Sequence, residues 1–365
     1  MSTRPPIPDS RFPREDAADL FSQQQSNRVR SRLLIAGFIV FFAWLGFGGD
    51  WILWQATRGS GVDGEGYRHA IPWLGLALTL GAVIAARVAW RRGPERVLWS
   101  TNAYEVVNPV TDDERKLVNV VEEMAVASGL PRPRVWIVPD DDPNAFATGH
   151  DPADAHVAVT AGLLAQLDRD ELQGVVAHEM GHVKNLDVRL MTLLAALVGA
   201  VALASDFMGR VLRGGGRMRV GLSGGGRSRG GKKGGNPALV LVLALWILSW
   251  LLAPLITRLL ALGVSRKREY LADAMSAQFT RNPGALARAL HKIEHAAAPT
   301  TSMKRGSAHL CIADPLGRSL SSREGAFAEL FGTHPPMAIR VAKLKAMAYQ
   351  QDGGRGTGDG SAESA

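Results

Sequence analysis

The chain has 365 residues, 46% hydrophobic and 21% charged, with a formal net charge of +8, enough for one or two domains with a substantial core. Its one cysteine, Cys311, excludes an internal disulfide framework and fits a reducing compartment. The basic surplus is gathered next to apolar segments, a distribution that points to a membrane rather than to an evenly solvated globule.

Residues 1–27 are rich in Pro, Ser, Gln and charge and read as a flexible tail. Residues 28–92 read as a transmembrane hairpin. Within it, residues 33–49 and 70–86 carry no charge and are flanked by Trp51, Trp54 and Trp90; with these interfacial aromatics each reaches the length needed to span a bilayer. The alternative, two buried core helices in series so near a terminus, suits a soluble domain poorly. No small-residue cleavage site follows the first stretch, so a signal peptide is not expected. Arg28, Arg30 and Arg32 precede the first stretch and Arg87, Arg91, Arg92 and Arg96 follow the second. The positive-inside rule then puts both flanks in the cytoplasm, with an outer loop from about Gln55 to Arg68.

Residues 93–189 read as the first part of a cytoplasmic catalytic domain. A helix is expected over 111–130, capped by Thr111 or Asp112, with Leu117, Val120, Val121, Met124 and Ala125 as its buried stripe. Strands are expected over 134–138 and 156–160, then a helix capped by Asp168 or Asp170 that runs through Val175 and His178 into a third uncharged stretch, 190–205. A fourth stretch, 234–257, makes 190–262 a second apolar hairpin. Its loop, 209–236, is Gly-rich and holds eight basic residues, no acid and no aromatic. Without aromatics for base stacking no nucleic-acid role is expected, whereas anionic lipid head groups suit it. A fully crossing hairpin would put this basic loop outside, against the positive-inside rule, and the sequence leaves that open. Residues 263–350 read as the second part of the catalytic domain, with helices over 265–279 and 283–297, Pro283 in the first turn of the latter. Residues 351–365 read as a second tail.

The chemistry-bearing pattern is His178-Glu179-Met180-Gly181-His182. On a helix, residues four apart share a face, so both imidazoles address one metal ion, and Glu179 lies where it can take a proton from an attacking water. An inverted pattern, His291, Glu294 and His295, sits on the polar flank of an amphipathic helix and reads as solvated. A catalytic zinc site needs a third protein ligand. Glu269 is the leading candidate, because the second apolar hairpin returns the chain to it; a solvated glutamate among basic neighbours is the alternative. Asp273, one turn on, is placed to hold a ligand histidine's free N–H.

Several separated segments extend the pattern: Pro143-Asn-Ala-Phe-Ala-Thr-Gly149, Val157-Ala-Val-Thr-Ala-Gly-Leu163, His178 to His182 with Asp187 beyond, Arg268-Glu-Tyr-Leu-Ala-Asp273, and Thr333-His-Pro-Pro336 with Arg340. Together they resemble the membrane-bound zinc metallopeptidases typified by the HtpX heat-shock protease, with the CAAX prenyl protease as a distant relative. The resemblance implies a mainly α-helical, membrane-anchored, zincin-like metallopeptidase domain with a small β-sheet and two to four transmembrane helices. It implies one Zn2+ bound by His178, His182 and Glu269, Glu179 as general base, and His334 as an oxyanion partner, for which a loop residue beside a Pro-Pro turn is the alternative. It further implies that the strand Val157, Ala158, Val159 and Thr160 is an edge that pairs with an extended peptide substrate. The expected activity is hydrolysis of protein or peptide substrates at the inner membrane of the cell by a multi-pass protein, in quality control of damaged membrane proteins. A prenyl-protein processing protease and a membrane scaffold with a structural zinc are the rival readings. The long tail and the 209–236 insertion depart from the family pattern.

Overall fold

Two long helices open the fold of this computed structural model, which describes residues 15–58, 71–214, 241–250, 252, 266–296, 310–312 and 335–355. They are α1 (Glu15–Arg58) and α2 (Trp73–Ser100). Ser22–Gln55 and Trp73–Ser100 are long and apolar enough to cross a membrane, with mean hydropathies of 1.9 and 1.6. Leu33, Val40, Trp73 and Leu80 are each more than 60% exposed. A core helix would hide such side chains, so their cover is lipid. The helices meet at small residues: a Cβ on Gly46 would lie 2.7 Å from Gly75 Cα, and the Gly75 N–H donates to Asp50 at 2.6 Å, the close approach that glycine permits between membrane helices. The short helix α7 (Leu241–Trp250) joins them through Trp246, whose indole N–H donates to the Leu45 carbonyl at 2.8 Å.

The start of α1 corrects one expectation. Residues 15–27, read as tail, continue the helix, because Gln24 and Asn27 are hydrogen-bonded to a distant part of the chain.

After α2 come β1 (Tyr104–Glu105), α3 (Asp112–Ser128), β2 (Arg134–Val138), β3 (Ala145–Thr148) and β4 (His156–Thr160). The Thr111 side chain caps α3 in a reciprocal box with Glu114, and Gly129 closes the helix in the left-handed conformation. The sheet order is β1-β2-β4-β3. β4 runs parallel to β2, from Arg134 opposite His156 to Val138 opposite Thr160, and antiparallel to β3, with Ala145 opposite Val159.

This order overturns the expectation for the substrate strand. Val157, Ala158, Val159 and Thr160 are buried and paired on both sides. Their backbone groups are therefore committed, and β4 has no edge to offer. The outer strand is β3, and the Ile312 N–H already donates to its Ala145 carbonyl at 2.9 Å.

α4 (Ala161–Gln166) leads into α5 (Arg169–Lys184). Asp168 caps α5 in a second reciprocal box with Glu171, and buried Glu171 reaches Lys292 at 2.6 Å, tying α5 to α9 (Pro283–Glu294). The core forms where α3, α5 and α9 cover the sheet: Leu117, Val121, Val157, Leu172, Val176 and Leu290 are fully buried. α5 does not run on into the third apolar stretch as expected. It ends at Lys184, Leu186 takes a left-handed conformation with φ 59°, and α6 (Asp187–Gly214) starts anew. The break turns Asp187 back towards the helix just completed. α8 (Arg266–Thr280) and α10 (Met337–Arg355) complete the described elements.

Candidate metal centre

α5 presents His178 and His182 one turn apart, and α8 crosses against the same face. The crossing depends on Gly181: a Cβ there would come 3.2 Å from Ala272 Cα and 3.3 Å from Met275 Cβ. That approach brings Glu269 onto the two imidazoles. His178 Nε2 and His182 Nε2 lie 3.2 Å apart. Glu269 Oε2 is 3.7 Å from the first and Oε1 3.6 Å from the second. Metal bonds of about 2.0–2.2 Å at tetrahedral angles would hold neighbouring donor atoms about 3.3–3.6 Å apart. The three donors therefore already stand at the spacing of one small divalent ion, and they are the cluster of that kind found among the described residues.

The far nitrogens fit as well. His178 Nδ1 faces Asp273 Oδ1 at 3.0 Å and His182 Nδ1 faces Asp187 Oδ2 at 3.1 Å. A carboxylate at Nδ1 fixes the proton there and leaves the Nε2 lone pair for the ion.

Burial and charge then set the protonation of the group. Burial holds His178 neutral, with its pKa lowered to about 4 against the opposing pull of Asp273. Burial also opposes charge on His182, but the hydrogen bond to Asp187 and the charge of Glu269 outweigh it and lift the pKa to about 9. Burial pushes Glu179 up to about 7, although the Ala147 N–H and the charge on His182 pull it down. Asp273 is buried too, yet the Arg340 guanidinium and His178 hold its carboxyl down at about 2.

Arg340 is fully buried on α10. It donates through Nε and Nη2 to Asp273, at 2.9 and 2.7 Å, and its Nη1 stands 3.4 Å from Glu269. Its Nη2 also lies 3.3 Å from His178 Nε2. This cation is matched by two buried carboxylates, which supply the compensation a buried charge requires. Beside the cluster a cleft opens, walled by Ala147, Met191 and Leu310 on its apolar side and by Glu179, His182 and Glu269 on its polar side.

The structure thus brings together His178, Glu179, His182, Glu269 and Asp273. His334 lies outside the described residues, next to Pro335. His291, Glu294 and His295 are exposed, and the two rings stack on each other 4.2 Å apart, away from the cluster. Asp187 and Arg340 belong to the sequence motifs, which assign them no role. Asp187 stands five residues past His182, a short-range clue. Arg340 stands 162 residues from His178, and nothing local to it announces the contact.

With this geometry in hand, the family model described as peptidase family M48 matches residues 111–348. This chain belongs to peptidase family M48. A protease HtpX homolog of Tropheryma whipplei is 46% identical over 239 residues, 66% of this chain and 75% of its own. Another, of Streptococcus gordonii, is 34% identical over 328 residues, 90% of this chain and 100% of its own. Among solved structures, that of S. mikatae Ste24p aligns with 90% of this chain and 67% of its own at 15% identity, with a TM-score of 0.42. M48 membership, together with the two lipid-facing helices, makes the chain a membrane-bound metalloprotease.

Proposed function

We propose that the chain is a zinc-dependent endopeptidase whose single ion is held by His178 Nε2, His182 Nε2 and the Glu269 carboxylate. The observation that carries this reading is the convergence of those donors at 3.2–3.7 Å with both Nδ1 atoms on carboxylates. A bound zinc would supply Lewis acidity, polarising the scissile carbonyl and making a water acidic. Glu179 then acts as general base: a carboxyl held near neutrality by burial accepts a proton from the attacking water and returns it to the leaving amine nitrogen. Asp273 and Asp187 keep the imidazoles turned, and Arg340 fixes Asp273. His334 serves as the oxyanion partner. The apolar wall of Met191 and Leu310 seats a substrate side chain and excludes water from the reacting bond.

The catalytic part faces the cytoplasm in this reading, the membrane is crossed more than once, and the substrates are damaged or misassembled membrane proteins. The basic loop at 209–236 meets anionic head groups. A base as buried as Glu179 beside a three-donor site argues against a structural zinc, which has no use for one.

Purified chain in detergent should cleave an unfolded protein, stop with chelator and resume when one equivalent of zinc is restored. Cleavage that persists after complete removal of metal would refute the proposal.

A further inference from the structure

Asn27 lies on α1 ahead of its uncharged stretch, residues 33–49, yet it is only 1% exposed. Its side-chain amide has two N–H groups, and both are used on the metal-centre side of the molecule. One donates to the Asn185 carbonyl at 3.0 Å and the other to Asp187 Oδ1 at 2.8 Å. Asp187 presents its other oxygen, Oδ2, to His182 Nδ1 at 3.1 Å. One turn earlier on α1, Gln24 Nε2 donates to the Lys184 carbonyl at 2.7 Å. The last carbonyls of a helix have no partner within it, and here α1 supplies partners for the end of α5.

We propose that Asn27 is a positioning residue of the metal centre, acting through Asp187 on His182. The inference rests on the reading of His182 as a ligand. A carboxylate that orients an imidazole does so only while its own torsion is fixed. With Oδ2 on His182, the Asp187 plane is set by what holds Oδ1, and that is Asn27, with Arg268 Nη1 farther off at 3.5 Å. An amide suits the place on physical grounds. It donates twice, once to the end of α5 and once to the start of α6, so it locks the break at Leu186 that turns Asp187 back. It brings no charge of its own, whereas a carboxylate at 27 would repel Asp187. The consequence is structural economy across the membrane boundary: the helix that anchors the chain also sets the geometry of the centre, and displacement of α1 would be felt at His182.

The test is the zinc affinity of the full-length protein in detergent, by competition with a chromophoric chelator. The d–d spectrum of the cobalt-substituted protein serves as a second readout. Asn27→Leu and Asn27→Asp should each weaken zinc about 10–100-fold, the range for loss of a partner that orients a ligand, and should change the cobalt spectrum. Asn27→Ser, smaller than the native side chain and still a donor, should fall between them and wild type, and it carries the test if leucine disturbs folding. Val29→Ala, at a 46% exposed position on the same helix, should match wild type. A helix anchor of purely structural value would lower the melting temperature and leave affinity and spectrum of the folded protein unchanged; that result in the Asn27 variants overturns the proposal. His182→Ala separates this failure from that of the underlying reading: if it keeps stoichiometric zinc, the ligand assignment falls and the positioning role falls with it.

Discussion

At the residue scale, the buried charges of the centre make two measurable demands. The first concerns protons. His182 is protonated below a pKa of about 9 in the metal-free protein, and an imidazolium cannot bind metal. Zinc must therefore displace a proton at neutral pH, so affinity should rise about tenfold per pH unit from about pH 7 towards that value and flatten above it. His178, already neutral, adds no slope in this window. Chelator competition across that range checks the expectation, and a flat profile would contradict it. The second concerns Glu179, which is beside the donors without being one. Glu179→Gln should keep one zinc per chain, measured by metal analysis, while cleavage of an unfolded protein falls by at least about 100-fold. The role of Asp273 is more entangled, because its carboxylate serves both His178 and Arg340. Asp273→Ala should weaken zinc and also leave the buried guanidinium with Glu269 alone, at a cost of up to about 3–5 kcal/mol in unfolding free energy. Adding Arg340→Met should restore most of that stability in denaturant titrations without restoring zinc affinity.

Which residues could be read from the sequence follows from range. His178 and His182 announce themselves because helix periodicity alone puts them on one face, and Glu179 comes with their motif. Glu269 was reachable by following the chain around the apolar hairpin. Arg340 was not, since its contact with Asp273 spans 67 residues and depends on how α10 docks.

At the element scale, the cap candidates at Thr111 and Asp168 and the apolar stripes made α3 and α5 legible, and β2 and β4 follow from short apolar runs. What a run cannot disclose is its neighbours. The resemblance implied an edge for β4, but sheet order is a product of long-range pairing, and β3 takes the outer place. The break between α5 and α6 was hidden for another reason: Lys184-Asn-Leu-Asp187 holds neither Gly nor Pro, and a single left-handed Leu186 makes the turn. The tightest element-level constraint is the crossing of α5 and α8 at Gly181, which sets how near Glu269 comes to the imidazoles. Gly181→Val must push α8 outwards, since even a Cβ would sit 3.2 Å from the Ala272 backbone. Overpacking of this kind costs about 1–3 kcal/mol. The variant should fold with a lowered melting temperature and lose zinc affinity more than a destabilised but undisplaced site would. Wild-type zinc binding by Gly181→Val would show that the helix contact does not control the site.

At the scale of the whole molecule, the cytoplasmic placement proposed for the centre has three observations in its favour. Arg28, Arg30 and Arg32 stand before the first span, and Arg87, Arg91, Arg92 and Arg96 line the end of α2, so under the positive-inside rule both ends of the hairpin are expected in the cytoplasm. Asn27, at the head of the first span, is hydrogen-bonded to Asp187, so the metal centre lies on the same side as those arginines. Finally, α2 runs into β1 and the catalytic sheet within a few residues, too few to cross again. A cysteine at Asp112, whose side chain is 99% exposed, and one at Thr57, at the far end of α1, should then behave oppositely in a Cys311→Ala background. In intact cells an impermeant thiol reagent should label the Thr57 cysteine at once and the Asp112 cysteine only after permeabilisation. A cysteine at Ser223, in the basic loop outside the described residues, extends the test to the second hairpin, where labelling from outside is expected because residues 234–257 suffice to cross. Labelling of Asp112 but not Thr57 would invert the whole arrangement and place proteolysis on the opposite face of the membrane.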